Sequence, residues 1–244
     1  MKIISICLLI VGLIVIFIVG QFFWRVQIGK NLAKHSQVFS FTSTNPTIKI
    51  LVVGDSTAVG TGAESPNLST AGYFHQDFPT AEIINTSKNG AKVTDIIKML
   101  NQVTGRFDLV LIQGGANNII YFTPLATAEA EMTDLLKAAK IHSDNVVLLT
   151  SGNIGMAPIW PWPLSIFYTQ RSRTFLAAFE NIAKANGALF VKLFQERQDD
   201  VFIRDVKKYY AADGLHLTGA GYKAWYDQIR QTMNTGGITL PSTR

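Results

Sequence analysis

Residues 48–56 read Ile48-Lys-Ile-Leu-Val-Val-Gly-Asp-Ser56, a β-branched apolar run that ends abruptly in glycine, acid and hydroxyl. Such a run is short enough for a strand and apolar enough to be buried on both faces. Four further runs of this kind follow: Ala81–Asn85, Phe107–Gln113, Asn145–Thr150 and Ala188–Lys192. Between them the apolar residues recur at helical spacing, as in Met132, Leu135, Leu136 and Ala139, and again in Phe175, Leu176, Phe179, Ile182 and Ala183. Thr123-Pro124 is expected to open the first of these helices as cap and first-turn proline, and Asn186-Gly187 to stop the second. Strands separated by helices of about 10–15 residues pair in parallel, with helices on both faces. The prediction is an α/β fold, a five-stranded parallel sheet between helical layers. Ligands then bind beyond the carboxyl ends of the strands.

Those ends carry residues that a core does not need. After the first strand comes Gly54-Asp55-Ser56, and two readings of Ser56 stand side by side. It caps the following helix, or it is a nucleophile at the helix's positive end, where backbone N–H groups stabilise an oxyanion. Asp55 reads as fixing that turn by local hydrogen bonds. After the second strand comes Asn85-Thr-Ser87-Lys-Asn-Gly90, and after the third Gly114-Gly-Ala-Asn117-Asn118. Asp213-Gly-Leu-His216 stands before a final helical stretch, and none of the other three histidines has an acid three residues ahead of it. A spacing of three lets a carboxylate face an imidazole and hold its tautomer. A serine hydroxyl is a weak nucleophile that needs such a base. Ser, Asn turn, Asp and His in this order are more specific than any one of them.

Residues 1–25 form a separate unit. No charge stands between Lys2 and Arg25, and Ile3 to Trp24 is long enough to cross a bilayer as a helix. Secretory signals have shorter apolar cores, about 7–15 residues, and a small-residue cleavage site. This run ends in Gln21-Phe-Phe-Trp-Arg25, an aromatic belt with a basic anchor. It reads as a retained single-pass membrane anchor. Counting Arg25, Lys30 and Lys34 against Lys2 and the amino terminus favours a cytoplasmic domain by a small margin, so the side of the membrane stays open. Residues 26–47 read as a linker, 48–234 as the catalytic-type domain and 235–244 as a tail.

A chain of 244 residues that is 48% hydrophobic and 16% charged is too apolar to be disordered. Its net charge of +5 is scattered, without the basic stripe of a nucleic-acid binder. Cys7 is the only cysteine, so no intrachain disulfide can form, and the histidines show no metal-ligand spacing. No metal and no cofactor are expected. Gly60-Thr-Gly62-Ala-Glu-Ser65 lacks the third glycine of a dinucleotide site, and no Gly-x-Ser-x-Gly elbow or phosphate loop exists.

Taken together, residues 48–232 resemble the SGNH/GDSL hydrolases, esterases of the lysophospholipase-like type. Gly54-Asp-Ser56 looks like their first block, Asn85–Gly90 the second, Gly115-Ala-Asn117-Asn118 the third and Asp213-x-x-His216 the last. The resemblance implies a flavodoxin-like three-layer α/β/α sandwich and a triad of Ser56, Asp213 and His216. In the second block a glycine's backbone N–H joins the oxyanion hole. Ser87 stands where glycine is usual, and the implied donors are the N–H groups of Ser56 and Ser87 and the amide of Asn117. Asn118 replaces a customary Asp. The reaction implied is hydrolysis of lipid-like or short acyl esters. Two rival readings are removal of O-acetyl groups from envelope glycans and a catalytically quiet binding module. Trp160 and Trp162 stand in a proline- and aromatic-rich stretch after the fourth strand that reads either as a loop folded onto the core or as a wall that binds the acyl group or lipid.

Overall fold

Ile50 to Gly54 are all buried, as a strand enclosed on both faces requires. In the computed structural model, which describes residues 2–240, strand β1 spans Lys49–Gly54. It is joined by β2 (Glu82–Asn85), β3 (Leu109–Gln113), β4 (Val146–Leu149) and β5 (Leu189–Val191). The order across the sheet is β2-β1-β3-β4-β5, every pairing parallel. This is the flavodoxin-like order, and its topological switch point lies between β1 and β3.

Alternation along each strand sends side chains to opposite layers. Leu51, Val53, Val110, Ile112, Val146 and Leu148 pack in one core. Ile50, Val52, Leu109, Leu111, Val147 and Leu149 pack in the other. In chain order the helices are α1 (Lys2–His35), α2 (Ser56–Val59), α3 (Thr70–Asp77), α4 (Val93–Leu100), α5 (Ala116–Ile120), α6 (Leu125–His142), α7 (Leu164–Ala185), α8 (Val201–Arg204), α9 (Val206–Tyr209) and α10 (Gly219–Thr235). Helices α4, α6 and α7 supply Ile96, Met132, Leu135 and Phe179 to the first core. Helices α3 and α10 supply Phe74, Tyr222, Tyr226 and Ile229 to the second. The result is the expected three-layer sandwich.

Several local expectations are corrected. Pro124 itself occupies the cap position of α6, and no side chain among the described residues caps that helix. The polar stretch from residue 26 is helical as far as His35, because its partly buried face packs against the domain. Beyond it, Phe41 exchanges backbone hydrogen bonds of 2.9 and 2.8 Å with Ile83, tying residues 36–47 to the edge strand β2. At the other end Ile238 and Leu240 are buried in the second core, so the expected tail is packed at least to there. Residues 241–244 of that tail, and Met1, lie outside the described residues.

Candidate active site

Gly54 ends β1 where the chain must pass very close to β3. A Cβ on Gly54 would lie 1.9 Å from the Gln113 carbonyl oxygen, so no other residue fits. Asp55 then caps α2, its Oδ1 accepting from the Thr57 N–H at 2.9 Å and the Thr57 hydroxyl at 2.8 Å. The cap is therefore Asp55. Ser56 is the first helical residue, and its hydroxyl is left for another partner.

That partner comes from the turn before α10. Asp213 Oδ1 accepts from the N–H groups of Leu215 and His216, both at 3.0 Å, which folds the segment into a tight turn. The spacing of three thus works through a turn and not a helix. His216 Nδ1–H donates to Asp213 Oδ2 at 2.6 Å, and Nε2 lies 3.0 Å from Ser56 Oγ. A carboxylate only accepts, so it fixes the proton on Nδ1 and leaves Nε2 free to take the serine's. Asp213 is almost wholly buried. Burial raises its carboxyl, but the His216 hydrogen bond and charge, with the two backbone N–H bonds, outweigh this and hold it below 3.8.

Ser56 and His216 open into a cavity of about 720 Å³, which Asn117, Gly90 and Trp160 also line. Asn117 Nδ2 donates one proton to the Ala91 carbonyl at 2.9 Å. An amide nitrogen carries two, so one is left over. Ser87 falls outside this lining, and its N–H donates to Asn85 Oδ1 at 3.1 Å. The expected role of Ser87 as an oxyanion donor is corrected on that ground, since its donor is already engaged. Gly90 was missed. It holds φ at +76°, and its N–H meets no acceptor among the described residues. The signal was present in sequence, as the glycine closing the second block. Trp162 also stands apart, 75% exposed and outside the cavity.

The family model of GDSL-like lipases and acylhydrolases matches residues 52–224, which takes in every one of these groups. The chain belongs to that family. Among solved structures it is similar to TesA (18% identity, TM-score 0.60, 77% of this chain and 99% of that one). It is also similar to a catalytic variant of an acetylxylan esterase from Geobacillus stearothermophilus (17%, 0.56, 83% and 100%). A third likeness is a protein from Lactobacillus plantarum (14%, 0.64, 78% and 98%). At such identities the likeness is one of fold. No curated protein matches the sequence.

Within this GDSL-type site the two departures from the family pattern have physical explanations. No positive φ is needed at Ser87, because Gly90 carries it. Asn118 Oδ1 accepts from the Val93 N–H at 3.0 Å, at the start of α4, while its Nδ2 donates to Glu131 Oε2 at 2.7 Å. An aspartate there would set two carboxylates against each other. Arg171 ties down the far end of α5, donating to the carbonyls of Ile119 (2.8 Å) and Thr123 (2.5 Å).

Asp55 carries a pH signature. Burial raises its carboxyl from 3.8 to about 6, against the lowering effect of the Thr57 bonds and the His216 charge, and Oδ2 has no partner among the described residues. The unfolded chain loses this proton first, so folding stability falls by about 3 kcal/mol as pH rises through that window. Asp55→Asn keeps an oxygen for Thr57 and removes the ionisation. Its unfolding free energy relative to the parent should improve between pH 4 and 7.5, read from urea titrations at both. A difference that does not vary with pH would contradict the buried charge.

Proposed function

We propose that the protein is a serine esterase that hydrolyses carboxylic esters through an acyl-enzyme on Ser56. The single observation that carries this is the unbroken path from Ser56 Oγ through His216 to buried Asp213, at 3.0 and 2.6 Å. Both steps lie within hydrogen-bond reach of a general base.

His216 Nε2 takes the hydroxyl proton as Ser56 Oγ bonds to the ester carbonyl carbon. Asp213 stabilises the imidazolium without taking its proton. The oxyanion is held by the N–H groups of Ser56 and Gly90 and the spare N–H of Asn117. As the bond to the alkoxy oxygen breaks, His216 returns the proton to the departing alcohol. Water then repeats the sequence on the acyl-enzyme and releases the acid. Asn117→Ala should lower kcat by about 10²–10³ with little change in KM, because the lost bond is made to the oxyanion and not to the ground-state ester. A KM effect alone would argue against that placement.

Helix α1 fits a retained membrane anchor. Its apolar segment, Ile3 onward, has mean hydropathy 3.3 and is unburied. Cleavage after Trp24 would strip Phe22 and Phe23 from the cavity wall, which both residues line. The cavity's size and aromatic lining favour an acyl group larger than acetyl. Removal of O-acetyl groups from glycans predicts the reverse preference. The test of the reading is whether the purified full chain reacts with a fluorophosphonate probe and hydrolyses p-nitrophenyl acetate. If a folded sample does neither, a binding module replaces the enzyme.

A further inference from the structure

Helix α1 has two halves with different surroundings. Ile3 to Gln21 is exposed on nearly all sides. From Phe22 onward one face is covered, at Phe22, Arg25, Val26, Gly29 and Ala33, a stripe at helical spacing. The Phe22 ring lies 5.9 Å from that of Trp160, and Arg25 donates to the Pro158 carbonyl. Gly29 passes so near the acid that a Cβ there would lie 2.9 Å from Asp213 Oδ2. One turn on, the Ala33 carbonyl, among the last of the helix, accepts from Asn89 Nδ2 at 2.9 Å. The stripe therefore runs from the aromatic wall of the cavity, past the acid, to the loop that carries Gly90.

The apolar stretch Ile3–Trp24 is about 33 Å long as a helix, close to the ~30 Å hydrocarbon thickness of a bilayer. Gly29 stands only about 8 Å further along the axis, in the headgroup layer of a bilayer that the helix crosses upright. The same side of the domain exposes Phe122, Ile166 and Phe167. A chain of ring contacts joins Phe122 and Phe167 to the helix: Phe22 to Trp160, Trp160 to Tyr168 at 4.1 Å, Tyr168 to Phe122 at 6.2 Å and Phe122 to Phe167 at 5.7 Å. Apolar and aromatic surface continuous with a spanning helix suits the bilayer interface.

We propose that the membrane-proximal half of α1 is a wall of the substrate cavity, and that the ester is drawn from the bilayer surface with its acyl chain against Phe22, Val26 and Trp160. This rests on the esterase reading above. The helix is then a specificity element as well as an anchor, and the occupant is an amphiphile whose polar part stays at the headgroup level.

Two variants of the full chain test it. Val26→Trp fills the wall, and the ratio of kcat/KM for p-nitrophenyl decanoate over acetate should fall by about tenfold or more. An unchanged ratio removes Val26 from the acyl path. The second variant inserts an alanine-rich segment of about two turns (~10 Å) between Gly20 and Gln21, lifting the site from the surface while keeping its rotational phase. In phosphatidylcholine vesicles containing a diacylglycerol ester, its turnover of that ester should fall by about tenfold, with soluble acetate hydrolysis retained. Equal turnover of the vesicle ester overturns delivery from the bilayer. A parent protein that hydrolyses no ester and takes no fluorophosphonate overturns the esterase reading itself, which separates the two failures.

Discussion

Ser56→Ala should abolish fluorophosphonate labelling and lower kcat on a soluble acyl ester by about 10⁴–10⁶ while leaving the fold intact. The size follows from the loss of the attacking atom itself. Its base, His216, and the oxyanion donors would remain, but they would have only water to activate, held less well than a covalently placed hydroxyl. The fold should survive because Ser56 does not cap its helix. Asp55 does that through Thr57, and the hydroxyl's hydrogen bond is to His216 Nε2. A near-unchanged unfolding midpoint beside a lost activity therefore separates chemistry from stability. Labelling that persists at another residue would remove Ser56 from the mechanism.

The sheet was legible because its strands are buried on both faces and so read as continuous apolar runs. Each of the five falls within a predicted run. The three side chains that the fold brings together were legible for a related reason: a serine just after a strand, and an acid and a histidine in a polar turn before the last helix, have no use in a core. What sequence could not show is whether a backbone donor is already occupied. Ser87 and Gly90 both have an N–H, and only the fold reveals that Asn85 claims the first. The spacing of three between Asp213 and His216 says that the two groups can face each other but not by what local structure, which is a turn closed by Asp213 Oδ1. Helix α1 beyond Trp24 was hidden for a different reason. Its covered stripe there holds Arg25, Val26, Gly29 and Ala33, because it packs over a cavity with polar and apolar parts. Hydrophobic periodicity detects a helix only where the opposing surface is uniformly apolar.

Asp213→Asn should cost about 10⁴ in kcat, through the direction of one proton. Asp213 uses both oxygens, Oδ1 for the N–H groups of Leu215 and His216 and Oδ2 for the imidazole. In the amide variant the oxygen best serves the two backbone donors, so the NH₂ group faces His216 Nδ1. Two donors cannot face each other, and the ring must shift its proton to Nε2. Nε2–H then points at Ser56 Oγ as a donor and cannot accept the serine's proton. Binding should change little, so kcat should fall while KM holds. The same substitution has a thermodynamic signature that a loss of packing would not produce. Asp213 is held below 3.8 in the folded chain, so its charged form contributes stability above the unfolded value. That contribution is lost as pH falls through the depressed folded value. The parent should therefore lose stability on acidification below about pH 4, and the asparagine variant should lose less over the same range. Parallel acid-unfolding curves for the two proteins, or a variant that keeps its turnover, would show that the carboxylate does not orient His216.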